Sequence, residues 1–143
     1  MKTGRRQDSQ AGYTLTEMLV VIGIISLIAA VLTPMLLGQM GRARAKAAQL
    51  QVETVASAVE NFRSDVGRYP TDQEGLPALV REPPSVEGWT GPYSREKSLK
   101  DPWGKPLIYS LGPDGRSFLV KSLGADGKVG GSGVDRDLSA PAP

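Results

Sequence analysis

Residues 12–37 read GYTLTEMLVVIGIISLIAAVLTPMLL, and from Met18 to Leu37 they carry no charge and are mostly apolar. A helix of about 20 such residues matches the hydrocarbon thickness of a bilayer. The segment is therefore predicted to cross a membrane once. Lys2, Arg5 and Arg6 precede it and Arg42, Arg44 and Lys46 follow it, so basic residues flank both ends and the short N-terminus is the expected cytoplasmic side. A secretory signal peptide opens the same way. Here the apolar core is long, no clear small-x-small cleavage site follows it, and a helical pattern continues beyond it.

That continuation is the second half of the reading. Ala48, Val52, Val55, Val59 and Phe62 are spaced four, three, four, three, which makes one apolar stripe on a helix, with Arg44, Gln51, Glu53 and Arg63 away from it. Membrane helix and amphipathic helix are read as one, from Leu15 to Ser64, roughly 75 Å at 1.5 Å per residue. Pro34, Gly38 and Gly41 interrupt helix propensity and predict a kink or a locally melted stretch. Gly67 ends the helix. Thr71-Asp72-Gln73-Glu74 is a capping box that predicts a short helix to about Val80. Residues 81–106 read as an ordered loop rich in Pro, Gly and charge, with Trp89, Tyr93 and Trp103 available to pack beneath it. Leu107–Leu111 and Ser117–Ser122 flank Gly112-Pro113-Asp114-Gly115 as a β-hairpin. Its apolar face needs the stripe ending at Phe62 as a cover, so the fold class is α+β: a long N-terminal helix packed on a small antiparallel sheet.

Composition removes several functions. The chain has 143 residues, no cysteine, no histidine and a formal net charge of +2. Three basic residues against Asp8 in the first twelve account for that excess, so the remainder is formally neutral and lacks the basic surface a nucleic-acid binder needs. Without His or Cys there is no thiol chemistry, no common zinc set and no histidine base. The chain is read as a structural subunit and not an enzyme. A small head without disulfides gains from another staple, such as a metal.

Gly12-Tyr13-Thr14-Leu15-Thr16-Glu17, after a short basic leader and before the apolar run, resembles the type IV prepilin signature, with Tyr13 where Phe is more usual and Thr16 where an aliphatic residue is. The resemblance implies that a membrane prepilin peptidase cuts after Gly12 and that the new N-terminus, Tyr13, is methylated. Glu17 has its own physical problem, because a carboxylate carried to the bilayer centre costs about 2.5–3.5 kcal/mol. A helix N-terminus could hold it through the macrodipole. In the family the equivalent Glu pairs with the N-terminal amine of an adjacent subunit during assembly.

Tyr69-Pro70-Thr71 with Gly75-Leu76, Gly91-Pro92-Tyr93, Asp101-Pro102-Trp103-Gly104 and Pro106-Leu107-Ile108-Tyr109-Ser110 are similar to the heads of the major pseudopilins of type II secretion systems. This implies a cleaved leader at 1–12, a transmembrane and assembly helix at 13–40, and a periplasmic head at 41–143. Within the head lie the amphipathic helix 41–64, the loop 81–106, the hairpin 107–122 and a calcium loop at 123–138. The glycine-rich segment with spaced carboxylates suits the six to eight oxygens that Ca²⁺ takes, although its spacing is not that of an EF-hand. By the resemblance, the Asp126 and Asp135 carboxylates and the Leu123 carbonyl hold a structural Ca²⁺, with Asp137 a further ligand. The implied partners are copies of the chain itself in a filament, minor pseudopilins, the prepilin peptidase and an inner-membrane secretion platform. The expected place is the inner membrane, with the assembled pseudopilus in the periplasm, supporting export of folded proteins. Two alternatives stand beside it: a type IV pilin for adhesion or motility, disfavoured by the missing cysteines, and a membrane-tethered hydrolase using Asp126 with Asp135 or Asp137. The hydrolase lacks an apolar pocket to raise one carboxyl pKa.

Overall fold

A computed structural model describes residues 12–141 and divides them between Gly38 and Gln39 into two units. One α-helix, α1 (Leu15–Val66), supplies the first unit and enters the second. From residue 12 to residue 40 every residue is exposed. This is the one described helix long and apolar enough to cross a membrane. The two hydroxyls of its uncharged run, Met18 to Leu37, are answered within the helix: Ser26 Oγ donates to the Ile22 carbonyl at 2.8 Å and Thr33 Oγ1 to the Ala29 carbonyl at 2.7 Å. Neither therefore presents an unmet donor to lipid. Of the kink or local melting expected at Pro34, Gly38 and Gly41, the melting is not found, since α1 remains helical through all of them. Proline removes a single rung of the ladder, and the bonds on either side suffice to continue it.

In the second unit the stripe behaves as its spacing requires. Ala48, Val52, Val55, Val59 and Phe62 are all fully buried. The sheet that covers them has three antiparallel strands in the order β1 (Ile108–Leu111), β2 (Phe118–Ser122), β3 (Leu138–Ala140). The predicted hairpin is β1 and β2, with Ile108 opposite Lys121 and Leu111 opposite Phe118. The third strand was not foreseen, and Leu138, expected to close the calcium loop, begins it. It pairs Ser122 with Leu138 and Val120 with Ala140, and it buries Leu138 and Ala140 while leaving Ser139 half-buried, the two-residue alternation of a strand.

Aromatic packing joins the layers. The Tyr69 and Phe118 rings lie 4.9 Å apart, and Phe62 meets Tyr93 edge-on at 5.8 Å. Trp89 and Tyr93, both half-buried, pack against the core beneath the 81–106 loop as expected, whereas Trp103, also half-buried, does not join that packing. The loop is pinned by bonds from the Tyr93 and Ser94 amides to the Leu79 carbonyl and from Trp89 Nε1 to the Ala78 carbonyl. Gln51, placed by its spacing on the solvent side of α1, is half-buried and donates to the Ser98 and Lys100 carbonyls.

The helix expected from Thr71 to Val80 is replaced by a turn and a short 3₁₀ segment, Leu76–Leu79. The capping box itself forms: Thr71 N donates to Glu74 Oε2 at 2.8 Å and Glu74 N to Thr71 Oγ1 at 3.2 Å. Pro77 then has no N–H for a carbonyl four residues back, and its ring would crowd that carbonyl, so the turn cannot propagate as an α-helix.

Candidate functional site

The first site is the start of α1. Gly12, Tyr13 and Thr14 are non-helical and exposed, Tyr13 to 79%. The Gly12–Tyr13 bond thus lies in exposed, non-helical chain ahead of the helix. The rest of the expected leader, 1–11, lies outside the described residues. Glu17 folds back onto Thr14: the Thr14 amide and hydroxyl both donate to Glu17 Oε2 at 2.8 Å, and Glu17 N donates to Thr14 Oγ1 at 3.1 Å. This is a capping box, which satisfies free amides at the helix end and holds the carboxylate at its positive pole. Thr14 was missed as the cap of α1 and the partner of Glu17. The Thr-x-x-Glu pattern that disclosed Thr71 and Glu74 is repeated at Thr14 and Glu17, and could have found it.

The second site is the loop after β2. Leu123 is half-buried, and its carbonyl accepts from the Gly127 amide at 3.2 Å. Ala125 N donates to the Val134 carbonyl at 3.0 Å, which folds the two ends of the loop together. Asp126 is exposed and accepts from Lys128 N at 3.0 Å. Asp135 is half-buried in a single 3₁₀ turn, Gly133–Asp135. Asp137 pairs with Lys121 at 3.7 Å through Oδ2, while its Oδ1 is buried with no hydrogen-bond partner. No three Asp, Glu, His or Cys side chains gather closely enough to hold a metal among the described residues. Carbonyls would have to complete any set. In donor chemistry alone the expected ligands suit calcium, being oxygens throughout with one buried carboxylate oxygen, Asp137 Oδ1, unanswered.

Two glycines set the loop's path. Gly124 and Gly131 have φ of +63° and +89°, and a Cβ on either would lie 2.7 Å and 2.5 Å from the Asp135 carbonyl oxygen. Only a residue without a side chain allows that approach in that conformation. Against the helix, a Cβ on Gly41 would meet Val134 Cγ1 at 3.0 Å.

Asp101 was read only as part of a motif. It is 5% exposed, and its Oδ1 accepts from Trp103 N at 3.0 Å and Lys105 N at 2.9 Å while Oδ2 accepts from Ser122 Oγ at 2.9 Å. Fully answered, this buried carboxylate ties the Asp101–Lys105 turn to the end of β2, one residue before the loop.

Comparison with known proteins matches the same parts. Residues 35–141 match the family described as Type II secretion system (T2SS), protein G, and residues 7–33 match the prokaryotic N-terminal methylation motif. The type II secretion system core protein G of Xanthomonas campestris pv. campestris is 39% identical over 129 residues, covering 90% of this chain and 88% of that one. Its counterparts in Pseudomonas aeruginosa and Vibrio cholerae are 36% and 34% identical, each over 94% of this chain and over 95% and 93% of theirs. The crystal structure of the major pseudopilin from the type 2 secretion system of enterohaemorrhagic Escherichia coli superposes with a TM-score of 0.57 at 24% identity, covering 73% of this chain and 92% of that one, and shares the fold. With a methylation motif at the start of its exposed apolar helix and a head matched from residue 35 to 141, the chain belongs to the protein G family of type II secretion systems.

Proposed function

We propose that this chain is the repeating subunit of a periplasmic pseudopilus, which grows by addition of copies at the inner membrane and supports export of folded proteins across the outer membrane. The observation that carries the reading is the exposed apolar part of α1, which needs lipid in the monomer and like helices in a filament. Maturation by a prepilin peptidase after Gly12 and methylation of Tyr13 precede assembly. Glu17 then exchanges its Thr14 contacts for the amine of a neighbouring copy. Minor pseudopilins and an inner-membrane platform are the other partners. The membership of the T2SS family favours this reading over an adhesive or motile pilus. As a hydrolase pair Asp126 is poorly placed, being exposed and held by the Lys128 amide.

Calcium is proposed as a structural ligand of the head, held by the Leu123 carbonyl, Asp126, Asp135 and Asp137. When bound it supplies positive charge to these oxygens, above all the unpartnered Asp137 Oδ1.

Mass spectrometry of protein extracted from membranes tests the central claim. The expected mass starts at N-methylated Tyr13, and a chain starting at Met1 or beyond Ala30 overturns it.

A further inference from the structure

We propose that Lys105 is the positioning residue of the 123–127 loop, an internal ammonium that holds the loop in the shape competent for its cation. Lys105 Nζ donates to the Ala125 carbonyl at 2.8 Å and reaches the Gly124 carbonyl at 3.5 Å. Its stem lies along Gly127, where a Cβ would come within 2.6 Å of Nζ and 3.0 Å of Cε. The side chain thus covers the stretch from Gly124 to Gly127 from one side.

Its own backbone is fixed from below. Lys105 N donates to Asp101 Oδ1 and Lys105 O accepts from Asp101 N at 2.7 Å, while Asp101 accepts from Ser122. Buried Asp101, Lys105 and the loop carbonyls form a chain of contacts that returns to the residue before Leu123. A charged donor on a carbonyl makes a stronger bond than a neutral one, and a loop of glycines has few other means of holding one conformation. The ammonium is also a like charge for any cation in the loop, so ordering and repulsion act in opposite directions. The geometry points to ordering as the larger effect, because Lys105 binds the Gly124 and Ala125 carbonyls, neither of which belongs to the proposed calcium set.

The part of this inference that concerns calcium rests on the calcium reading; the ordering of the loop does not. The test uses the full-length protein in detergent, as wild type, Lys105→Met, Lys105→Arg and the exposed control Lys97→Met. In calcium-free buffer, hydrogen exchange at the Ala125 and Gly127 amides is expected to quicken in Lys105→Met, to recover in Lys105→Arg and to stay unchanged in Lys97→Met. Amides of Val52–Phe62 report global folding. If these also quicken in Lys105→Met, the arginine variant decides: recovery supports the role, and loss in both overturns it. Titration with Ca²⁺ alone should give an apparent Kd about tenfold weaker in Lys105→Met, since a less populated competent loop binds in proportion to its population. Unchanged loop exchange, or a tighter calcium Kd in Lys105→Met, overturns the proposal. If the wild type binds no calcium, the calcium reading fails by itself, and quickened loop exchange still supports Lys105 as what orders the segment.

Discussion

Arg68 grips Glu74 with both terminal guanidinium nitrogens, Nη1 and Nη2, each 2.7 Å from a carboxylate oxygen, while Thr71 N donates to the same carboxylate. The Arg68 bonds come first among the causes that pull Glu74 from 4.5 down to about 2. A depressed carboxyl pKa stabilises the fold fully above its unfolded value and loses that contribution as pH falls toward the folded one. Arg68 is 43% exposed, so solvent screens the pair. Glu74→Gln is expected to cost about 1 kcal/mol at neutral pH. It should also flatten the loss of stability between about pH 4.5 and pH 2, measured by denaturant midpoints across that range. Phe62 belongs to the same scale with a larger effect. It is fully buried at the end of the helical stripe, and Phe62→Ala should cost about 3–5 kcal/mol in thermal or denaturant unfolding. Phe62 was legible from period alone. Arg68 and Lys105 were not, because long side chains reach partners six and some twenty residues away, and a pattern of neighbours along the chain carries no record of such reach.

At the level of elements, β3 is what turns a two-stranded hairpin into a sheet that can cover a helix, for an isolated hairpin is marginal in water. Leu138→Ala should therefore destabilise the head by about 2–4 kcal/mol, read as a lower denaturant midpoint. Full recovery of the wild-type midpoint would show that β3 only decorates the edge. The strand escaped the sequence because it has three residues and is preceded by a glycine-rich loop, so no alternation long enough to register was present. The hairpin was legible for the opposite reason, with two apolar runs on either side of a strong turn. The loop between β2 and β3 gives a further expectation. A ligand bound only by the folded state adds roughly 2.7 kcal/mol at a hundred times its Kd, so chelation should lower the melting temperature of wild type and leave Asp126→Ala and Asp135→Ala, already lowered, unmoved. An unchanged wild-type melting temperature under chelator would remove calcium from the account.

Across the whole molecule, one helix serves two solvents, with an apolar surface all round before Gly38 and a single buried stripe after Ala48. That change of pattern along one run is why the anchor and the helix of the head could be read together from the residues. Their processing gives the molecular predictions. A bulky residue at Gly12 should leave uncleaved precursor in the membrane, seen as a slower-migrating band, and normal maturation would refute the cleavage site. Glu17→Leu should insert and be cleaved yet fail to assemble, because it loses both the contact with Thr14 and the carboxylate offered to a neighbour. Filaments appearing at the wild-type rate would show that the helix pole alone was its purpose. The close approach of Gly124 and Gly131 to the Asp135 carbonyl also bears on how substitutions would be tolerated along the chain. In a saturation library, most exposed residues accept almost any replacement, and the lipid-facing helix should accept exchange among apolar residues. Exposed Gly131 should tolerate as little as buried Gly124, with even alanine depleted at both, so that a position on the loop's surface would score like a core.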